Sequence, residues 1–293
     1  MDVLIVGAGA MGTWFGSAID ADVTFADLDH DAATAAAAAT GGSATVLEDG
    51  TGAGVDGTPD ADEATDTTDT TNAAGATDAY DAVCLAVPMT HITEAIAAHA
   101  SRAERAVVDV SGVMAAPIEA MQRHAPDCER VSLHPLFAPA RAPGSIAVVR
   151  DADGPATTAL LDALAARGNE LVETTAREHD DAMETVQAMT HATVLSFALA
   201  AESVPDGFET PIYEQLRTLA EHVTAGTPRV YADIQATFEG AEQVAAAAGA
   251  IADADATELE SLYRDATAQW HEDATGPSDG QPVADSKAEE TDR

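Results

Sequence analysis

The segment Val6-Gly7-Ala8-Gly9-Ala10-Met11-Gly12 limits what this chain can fold into more than any other. It follows an apolar, branched run of strand length, Met1-Asp2-Val3-Leu4-Ile5-Val6, and precedes Trp14-Phe15-Gly16-Ser17-Ala18-Ile19, whose apolar residues recur at helical spacing. A strand, a glycine turn and a helix in that order make the phosphate-facing unit of a parallel α/β sheet. In such a unit Gly7 permits the tight turn, Gly9 lets the backbone approach a pyrophosphate, and Gly12 allows close packing of helix on strand. Ala10 and Met11 open the helix whose N-terminus faces the phosphate charge. A second strand, Asp22-Val23-Thr24-Phe25-Ala26-Asp27, ends in an acid about twenty residues beyond the first glycine, where a carboxylate can bind both ribose hydroxyls. The next residues, Leu28-Asp29-His30-Asp31, offer no Arg or Lys to a 2′-phosphate, so the pattern favours NAD over NADP.

Composition narrows the class further. The 293 residues suffice for a sizeable core and for two domains. Asp plus Glu number 51 against 13 Lys plus Arg, a formal net charge of −38, yet 46% of residues are hydrophobic. Disorder pairs high charge with low hydrophobicity, so the excess reads as an acidic surface on a folded protein. The sole lysine, Lys287, sits in the last few residues, a balance that resembles adaptation to a salt-filled cytoplasm. Nucleic acid and anionic membranes are poor partners for such a surface. Cys84 and Cys128 have no CxxC or metal-ligand spacing, and Cys84 lies in an apolar strand as a small core residue. With no signal-peptide pattern and no apolar run of spanning length, a soluble cytoplasmic protein is expected, and no metal.

Strands alternate with helices through the first half. A helix over 30–40 precedes a Gly-, Asp- and Thr-rich acidic insertion over 41–77 with one short strand around Ala44-Thr45-Val46-Leu47. The strand Tyr80 to Val87, stopped by Pro88, is followed by a helix over 90–100, the strand Ala106 to Val110, a helix over 115–124, and a strand-like run from Glu129 to Leu133. Further strands, Ile146 to Val149 and Glu170 to Thr174, flank the helix Ala156 to Ala166. This alternation predicts an α/β fold, a doubly wound parallel sheet over 1–175. Residues 177–203, 211–225, 228–248 and 254–273 are all helix-like, which predicts a helical domain over 176–275 and a disordered tail over 276–293.

His134 follows a strand and precedes Pro135, which places its imidazole at a strand end, where open α/β sheets bind ligands. Asp109-Val110-Ser111-Gly112-Val113 also ends a strand, with a hydroxyl that could hold an imidazole tautomer.

These residues resemble the prephenate dehydrogenase family, which includes arogenate dehydrogenases. The resemblance rests on the Gly7 to Gly12 turn, Leu85-Ala86-Val87-Pro88, Val108-Asp109-Val110-Ser111, His134-Pro135-Leu136-Phe137, Glu178-His179-Asp180, Val186 to His191, Pro211-Ile212-Tyr213 and Pro228 with Tyr231 to Ile234. It implies a Rossmann-type domain that holds NAD through the glycine turn, Asp27, Val87 and Pro88, followed by a helical domain that pairs two subunits. It further implies oxidative decarboxylation of prephenate to 4-hydroxyphenylpyruvate, a step toward tyrosine. A neutral His134 would accept a hydrogen bond from the ring hydroxyl, Ser111 would orient both, and His191 would line the cleft. His179 and Asp180 read as a helix-start element. The family's usual serine and lysine appear here as Gly112 and Met114, and its usual arginine for the substrate carboxylate appears as His222. Arg217, Arg229 and Arg141 are then the other candidate anchors. Arogenate as substrate and a catalytically silent NAD-binding sensor are the alternatives. A 3-hydroxyacid-type dehydrogenase would need an active-site lysine that this sequence does not place there.

The charge excess carries its own expectation. Acidic self-repulsion is screened over about 3 Å at 1 M salt but only over roughly 10 Å at 0.1 M. Melting temperature and activity should therefore rise together with KCl concentration, and a melting temperature that is the same at both ionic strengths would contradict this.

Overall fold

The computed structural model describes residues 1–47 and 79–273. Its strands are β1 (Asp2–Val6), β2 (Asp22–Asp27), β3 (Ser43–Val46), β4 (Tyr80–Leu85), β5 (Ala103–Asp109), β6 (Glu129–Pro135), β7 (Ser145–Ala152) and β8 (Glu170–Glu173). Between them run α1 (Ala10–Ala18), α2 (His30–Thr40), α3 (Ile92–His99), α4 (Ala115–His124) and α5 (Pro155–Ala166). After β8 come α6 (Ala176–Met183), α7 (Thr190–Ala200), α8 (Pro211–Thr224), α9 (Pro228–Thr237), α10 (Gly240–Asp253) and α11 (Ala256–Asp273). The strand expected around 44–47 is β3; the rest of the acidic insertion and the tail over 276–293 lie outside the described residues.

The eight strands form one sheet in the order β3-β2-β1-β4-β5-β6-β7-β8. From β1 the chain builds outward to β2 and β3, then returns to place β4 on the other side, so the order reverses between β1 and β4. Ligands of open α/β sheets bind at such a switch point, beyond the carboxyl ends of the strands. Alternation along β1 assigns its side chains to the two faces: Val3 and Ile5 join one buried cluster with Phe15, Phe25 and Leu160, while Leu4 and Val6 join another with Leu85, Ile96 and Met121. Cover on both faces explains why β1, most of β4 and the second half of β5 are apolar runs.

The sheet departs from the parallel expectation at β7, which pairs antiparallel with β6. Only residues 136–144 separate the two strands, with a single 3-10 turn at Pro139–Arg141, and a parallel return needs a crossover of a dozen residues or more. Direction is parallel again at β8, after the α5 crossover.

The compact units also differ from the expected 1–175 and 176–275 partition, dividing instead between Ala241 and Glu242. The reason is packing: Met183, Ala188, Ile234 and Phe238 of the post-sheet helices are buried in the same cluster as Leu4, Leu85 and Met121 of the sheet layer. Two helices expected to be continuous are interrupted. Glu184–Met189 forms a π turn between α6 and α7, and the 228–248 run breaks at Phe238, whose extended backbone (φ −117°, ψ 150°) separates α9 from α10. Both interruptions meet at one place. Gly240 lies so close to the π turn that a Cβ there would stand 2.7 Å from Met189 N and 2.8 Å from Glu184 O. Gln235 Nε2 donates to Ala188 O at 3.0 Å, satisfying a carbonyl in the wide turn. Among the described residues no helix is long and apolar enough to cross a membrane.

Candidate functional site

The glycine turn has the geometry that its spacing implies. Gly7 has φ +101°, and a side chain there would collide with the Ala86 carbonyl and press on Val87 Cγ1. At Gly12 a Cβ would collide with the Gly7 carbonyl, whereas at Gly9 it would meet nothing within 4 Å. The turn is therefore tight at both ends and open at Gly9, where a pyrophosphate would approach. Gly9 and Ala10 are exposed at the head of α1, which has no side-chain cap, and Met11 is half-buried behind them. Asp27, at the end of β2, is bound into the same unit: its Oδ2 accepts from Ala8 N–H at 2.7 Å and its Oδ1 from Asp29 N–H at 2.9 Å. Pro88 opens the 3-10 turn Met89–His91 directly after Val87. The structure thus brings together Gly7, Gly9, Ala10, Met11, Gly12, Asp27, Val87 and Pro88 at the switch point.

The loop after His134 reaches this unit, since Phe137 packs edge-on against Trp14 of α1 with ring centroids 5.2 Å apart. His134 projects beyond the end of β5, two residues past the Asp109 to Ser132 register pair, and is only 7% exposed. Its Nδ1 lies 2.8 Å from His179 Nε2, and His179 Nδ1 lies 2.7 Å from Asp180 Oδ1. Asp180 is held in turn by the head of α4, with Oδ1 accepting from Met114 N–H at 3.0 Å and Oδ2 from Ala115 N–H at 2.9 Å. The carboxylate sets the order of the protons. His179 must donate from Nδ1 to Asp180, so its Nε2 carries a lone pair and accepts from His134 Nδ1–H. That leaves the lone pair of His134 on Nε2. Gln187 of the π turn faces this nitrogen, its Nε2 donating across 3.2 Å.

The electrostatics separate the groups of this chain. Burial and the adjacent His179 hold His134 well below the usual histidine value, at about 3, against a smaller opposing pull from Asp180. Burial would raise Asp180, but hydrogen bonds from His179 and from Ala115 and Met114 N–H outweigh it and keep the carboxyl below its ordinary value. Asp109 is different. Fully buried, it is pushed up to about 7, although Ser132 Oγ–H donates to it at 2.6 Å and Ser111 N–H at 2.9 Å.

Several expected roles change. Ser111 does not orient His134; its Oγ is buried without a well-formed hydrogen bond, and both imidazole nitrogens of His134 are engaged by other residues. The position against the base belongs to Gly112, φ +96°, where a Cβ would lie 3.3 Å from His134 Nε2. His179 and Asp180 are not a helix-start element: Thr175 caps α6, and the pair positions the base. Gln187, absent from the candidates, lies in the Val186 to His191 segment that carries the resemblance, but its position against His134 depends on the π turn after α6. Eight residues of straight α-helix would rotate it about 80° from His179; the wider turn returns it to that side.

The cation candidates separate by position. Arg217 is tied to Glu209 at 3.2 Å and Glu221 at 3.8 Å on the exposed side of α8, and His222 is exposed in the same helix. Arg141 is exposed in the turn after Ala138. Arg229 instead donates to Asp233 Oδ1 at 2.8 Å and lies 3.3 Å from His91 Nε2, in the 3-10 turn whose Met89 flanks Gly112. His191 packs edge-on against Tyr231, centroids 4.9 Å apart, with Nδ1 buried and unpartnered. Tyr231 also lines a cavity of about 350 Å³ with Leu195, Pro228 and Gln235.

The doubly wound sheet and the open glycine turn define a nucleotide-binding α/β fold, with a buried imidazole at the same sheet edge. Comparison with known proteins narrows the class. Residues 53–148 match the family model described as prephenate dehydrogenase, nucleotide-binding domain. A 4-amino-4-deoxyprephenate dehydrogenase of Streptomyces pristinaespiralis is 34% identical over 157 residues, 50% of this chain and 53% of that protein. The match thus spans about half the length of that relative. Among solved structures, prephenate dehydrogenase from A. aeolicus, in complex with hydroxyphenyl propionate and NAD+, has a TM-score of 0.60 at 13% identity over 93% of this chain and 98% of that one. Synechocystis arogenate dehydrogenase has a TM-score of 0.53 at 14% identity over 93% and 99%. The sequence matches to prephenate dehydrogenase-type proteins cover part of the chain, and the structural likenesses show the fold.

The two shifted groups make a pH prediction. Between about pH 4 and 6.5 the unfolded chain protonates His134 and ionises Asp109, whereas the folded chain does the reverse, so the pair binds the same number of protons in both states. Their opposed effects cancel. In Asp109→Asn only the His134 effect remains, and because its folded value is depressed, stability should fall with acidification. Relative to wild type, the unfolding free energy of this variant should change by up to about 1.4 kcal/mol per pH unit across that window. Denaturant unfolding at pH 4.5, 5.5 and 6.5 in molar KCl measures it; parallel curves for the two proteins would contradict the assignment.

Proposed function

We propose that this chain is an NAD-dependent dehydrogenase that oxidatively decarboxylates prephenate to 4-hydroxyphenylpyruvate. The observation that carries the reading is the chain Asp180–His179–His134, which leaves an acceptor nitrogen, His134 Nε2, beside Gly112 at the sheet edge that also bears the glycine turn. Gly9, the head of α1 and Asp27 suit a pyrophosphate and a ribose diol, and Val87 and Pro88 flank them. When bound, the nicotinamide would supply a hydride acceptor.

His134 Nε2 accepts the hydrogen bond of the ring hydroxyl while hydride leaves the same ring carbon. The ring carboxylate departs as CO2 and its bonding electrons aromatise the ring. The phenol keeps its hydrogen, so the reaction releases no net proton, and the base has only to favour positive charge developing at the hydroxyl. A ring held far below the usual histidine value remains an acceptor throughout the neutral range. Among the cations, Arg229 is the proposed carboxylate anchor because it alone adjoins the turn that packs on Gly112; Arg217 and His222 lie on α8, and Arg141 follows the His134 strand. His191 is proposed to line the same cleft through its unpartnered Nδ1. Exposed Leu199, Phe208 and Ile212 of the helical segment support pairing of two copies there. A soluble, cytoplasmic enzyme of a salt-adapted cell is the accompanying reading of its charge.

Arogenate differs from prephenate only in its side chain, where an amino group replaces the keto group. A ring-amino substrate is favoured by a different observation, the 34% identity to a 4-amino-4-deoxyprephenate dehydrogenase.

The test is NADH formation from prephenate and arogenate, with NAD or NADP, in molar KCl. His134→Asn should lose on the order of 10²- to 10⁴-fold in turnover while NAD affinity is kept. For the wild type, kcat/KM on prephenate should be level from pH 5.5 to 8; an inflection near the ordinary histidine value of about 6.5 would show a base that titrates freely. A folded His134→Asn protein with near-normal turnover would falsify the assignment.

Asp27→Ala should weaken NAD binding and narrow the preference over NADP, since the carboxylate both meets the ribose diol and repels a 2′-phosphate. Fluorescence titration with each cofactor measures this, and a wild type that binds NADP more tightly than NAD would reverse the reading.

A further inference from the structure

Hydride transfer with His134 as acceptor needs the lone pair of its Nε2, and in this structure that lone pair is taken. An imidazole nitrogen without a proton has one lone pair in the plane of the ring, enough for one good hydrogen bond. Gln187 Nε2 lies 3.2 Å away and donates to it. The other ring nitrogen stands 2.8 Å from His179 Nε2 and gives its proton there, so His134 has no second acceptor to offer. A substrate hydroxyl can therefore reach the base only after the amide of Gln187 has left it.

The surroundings of Gln187 confine that exchange to its side chain. Gln187 sits in the π turn Glu184–Met189, whose ends are fastened from outside. Gln235 Nε2 donates to Ala188 O at 3.0 Å, and Glu239 N–H donates to Glu184 Oε1 at 3.2 Å. Gly240 packs so closely that a Cβ there would stand 2.8 Å from Glu184 O. The turn cannot shift as a body without breaking these contacts, so the amide has to swing. Little retains it: Oε1 is buried and has no hydrogen-bond partner among the described residues, so release breaks the one bond made through Nε2.

We infer that Gln187 is a removable cap on the base, closing His134 Nε2 until the ring hydroxyl of the substrate displaces it. This rests on the dehydrogenase reading above. A cap weakens binding, because only the uncapped fraction of the protein is competent to take substrate. The bond exchanged joins two neutral groups, so the loss is roughly two- to tenfold in apparent affinity. The inference also fixes a sign. Removing a residue that positions the base lowers turnover, whereas removing a cap improves binding.

Wild type, Gln187→Leu and Gln187→Met are assayed with prephenate and NAD in molar KCl, with the NAD affinity of each protein as the control for an intact fold. Both variants lack the donor, so kcat/KM should rise roughly two- to tenfold, through a lower KM. A fall in kcat, or an unchanged KM in variants that bind NAD normally, would overturn the inference and leave the dehydrogenase reading standing. Nitrogen-15 NMR tests wild type directly, whatever the variants do. Without ligand, Nε2 should be the unprotonated nitrogen of His134, and on saturation with NAD and 4-hydroxyphenylpyruvate its signal and the side-chain amide signals of Gln187 should move together. A proton on Nε2 in the unliganded protein, or Gln187 amide signals that stay in place while the product binds, would also overturn the cap. Wild type that binds NAD but neither oxidises prephenate nor binds 4-hydroxyphenylpyruvate would remove the dehydrogenase reading, and the inference with it.

Discussion

The carboxylate of Asp180 fixes the rest of the site. It takes two backbone N–H groups from the head of α4, where helix N-termini favour negative charge, and its remaining hydrogen bond comes from His179. From that point no freedom is left. His179 can donate only from Nδ1, His134 can donate only from its own Nδ1, and the lone pair of His134 faces the space at Gly112. Two imidazoles in series carry the orientation set by that carboxylate, and His134 sits where burial makes a charged ring costly.

The sheet explains why this chain of groups stands next to a dinucleotide turn. Parallel pairing of β1, β4, β5 and β6 brings the ends of all four strands to one edge, so Gly7, Val87, Asp109 and His134 converge although they are far apart in sequence. The reversal at β7 then matters. Because β6 returns directly through a short loop, Pro135 to Phe137 stay at that edge, and Phe137 meets Trp14 of α1. The post-sheet helices complete the arrangement by burying Met183, Ala188 and Ile234 against the sheet layer, which brings His179 and Gln187 over His134.

Much of this was legible in the sequence where one local rule decides it. The glycine spacing, the acid at Asp27, the strands β4 to β6 and the strand-end histidine all follow from patterns within about twenty residues of each other. The misread features depend on distant partners. Ser111 seemed the natural partner of His134 because both end strands, but the sheet register pairs Asp109 with Ser132 instead and leaves the residue against His134 as glycine. His179 and Asp180 looked like a local helix start because nothing in the sequence says that α4 has no side-chain cap of its own and takes one from α6. The π turn has no periodic signature at all; it is fixed by Gly240 and Gln235, some fifty residues onward.

The substitution of Met114 for a lysine fits the same electrostatics. Met114 is fully buried, and its contribution to the site is its backbone N–H, which Asp180 accepts. With no cation there, the buried Asp109 has only hydroxyl and amide donors, and burial lifts it to about 7, near neutrality under ordinary conditions. His134 is neutral for the same reason in the opposite sense. Of the three groups at the sheet edge, Asp180 is the one whose charged form is favoured. Around His134 it is hydrogen bonds, from His179 and Gln187, and not fixed charge that meet the ring nitrogens.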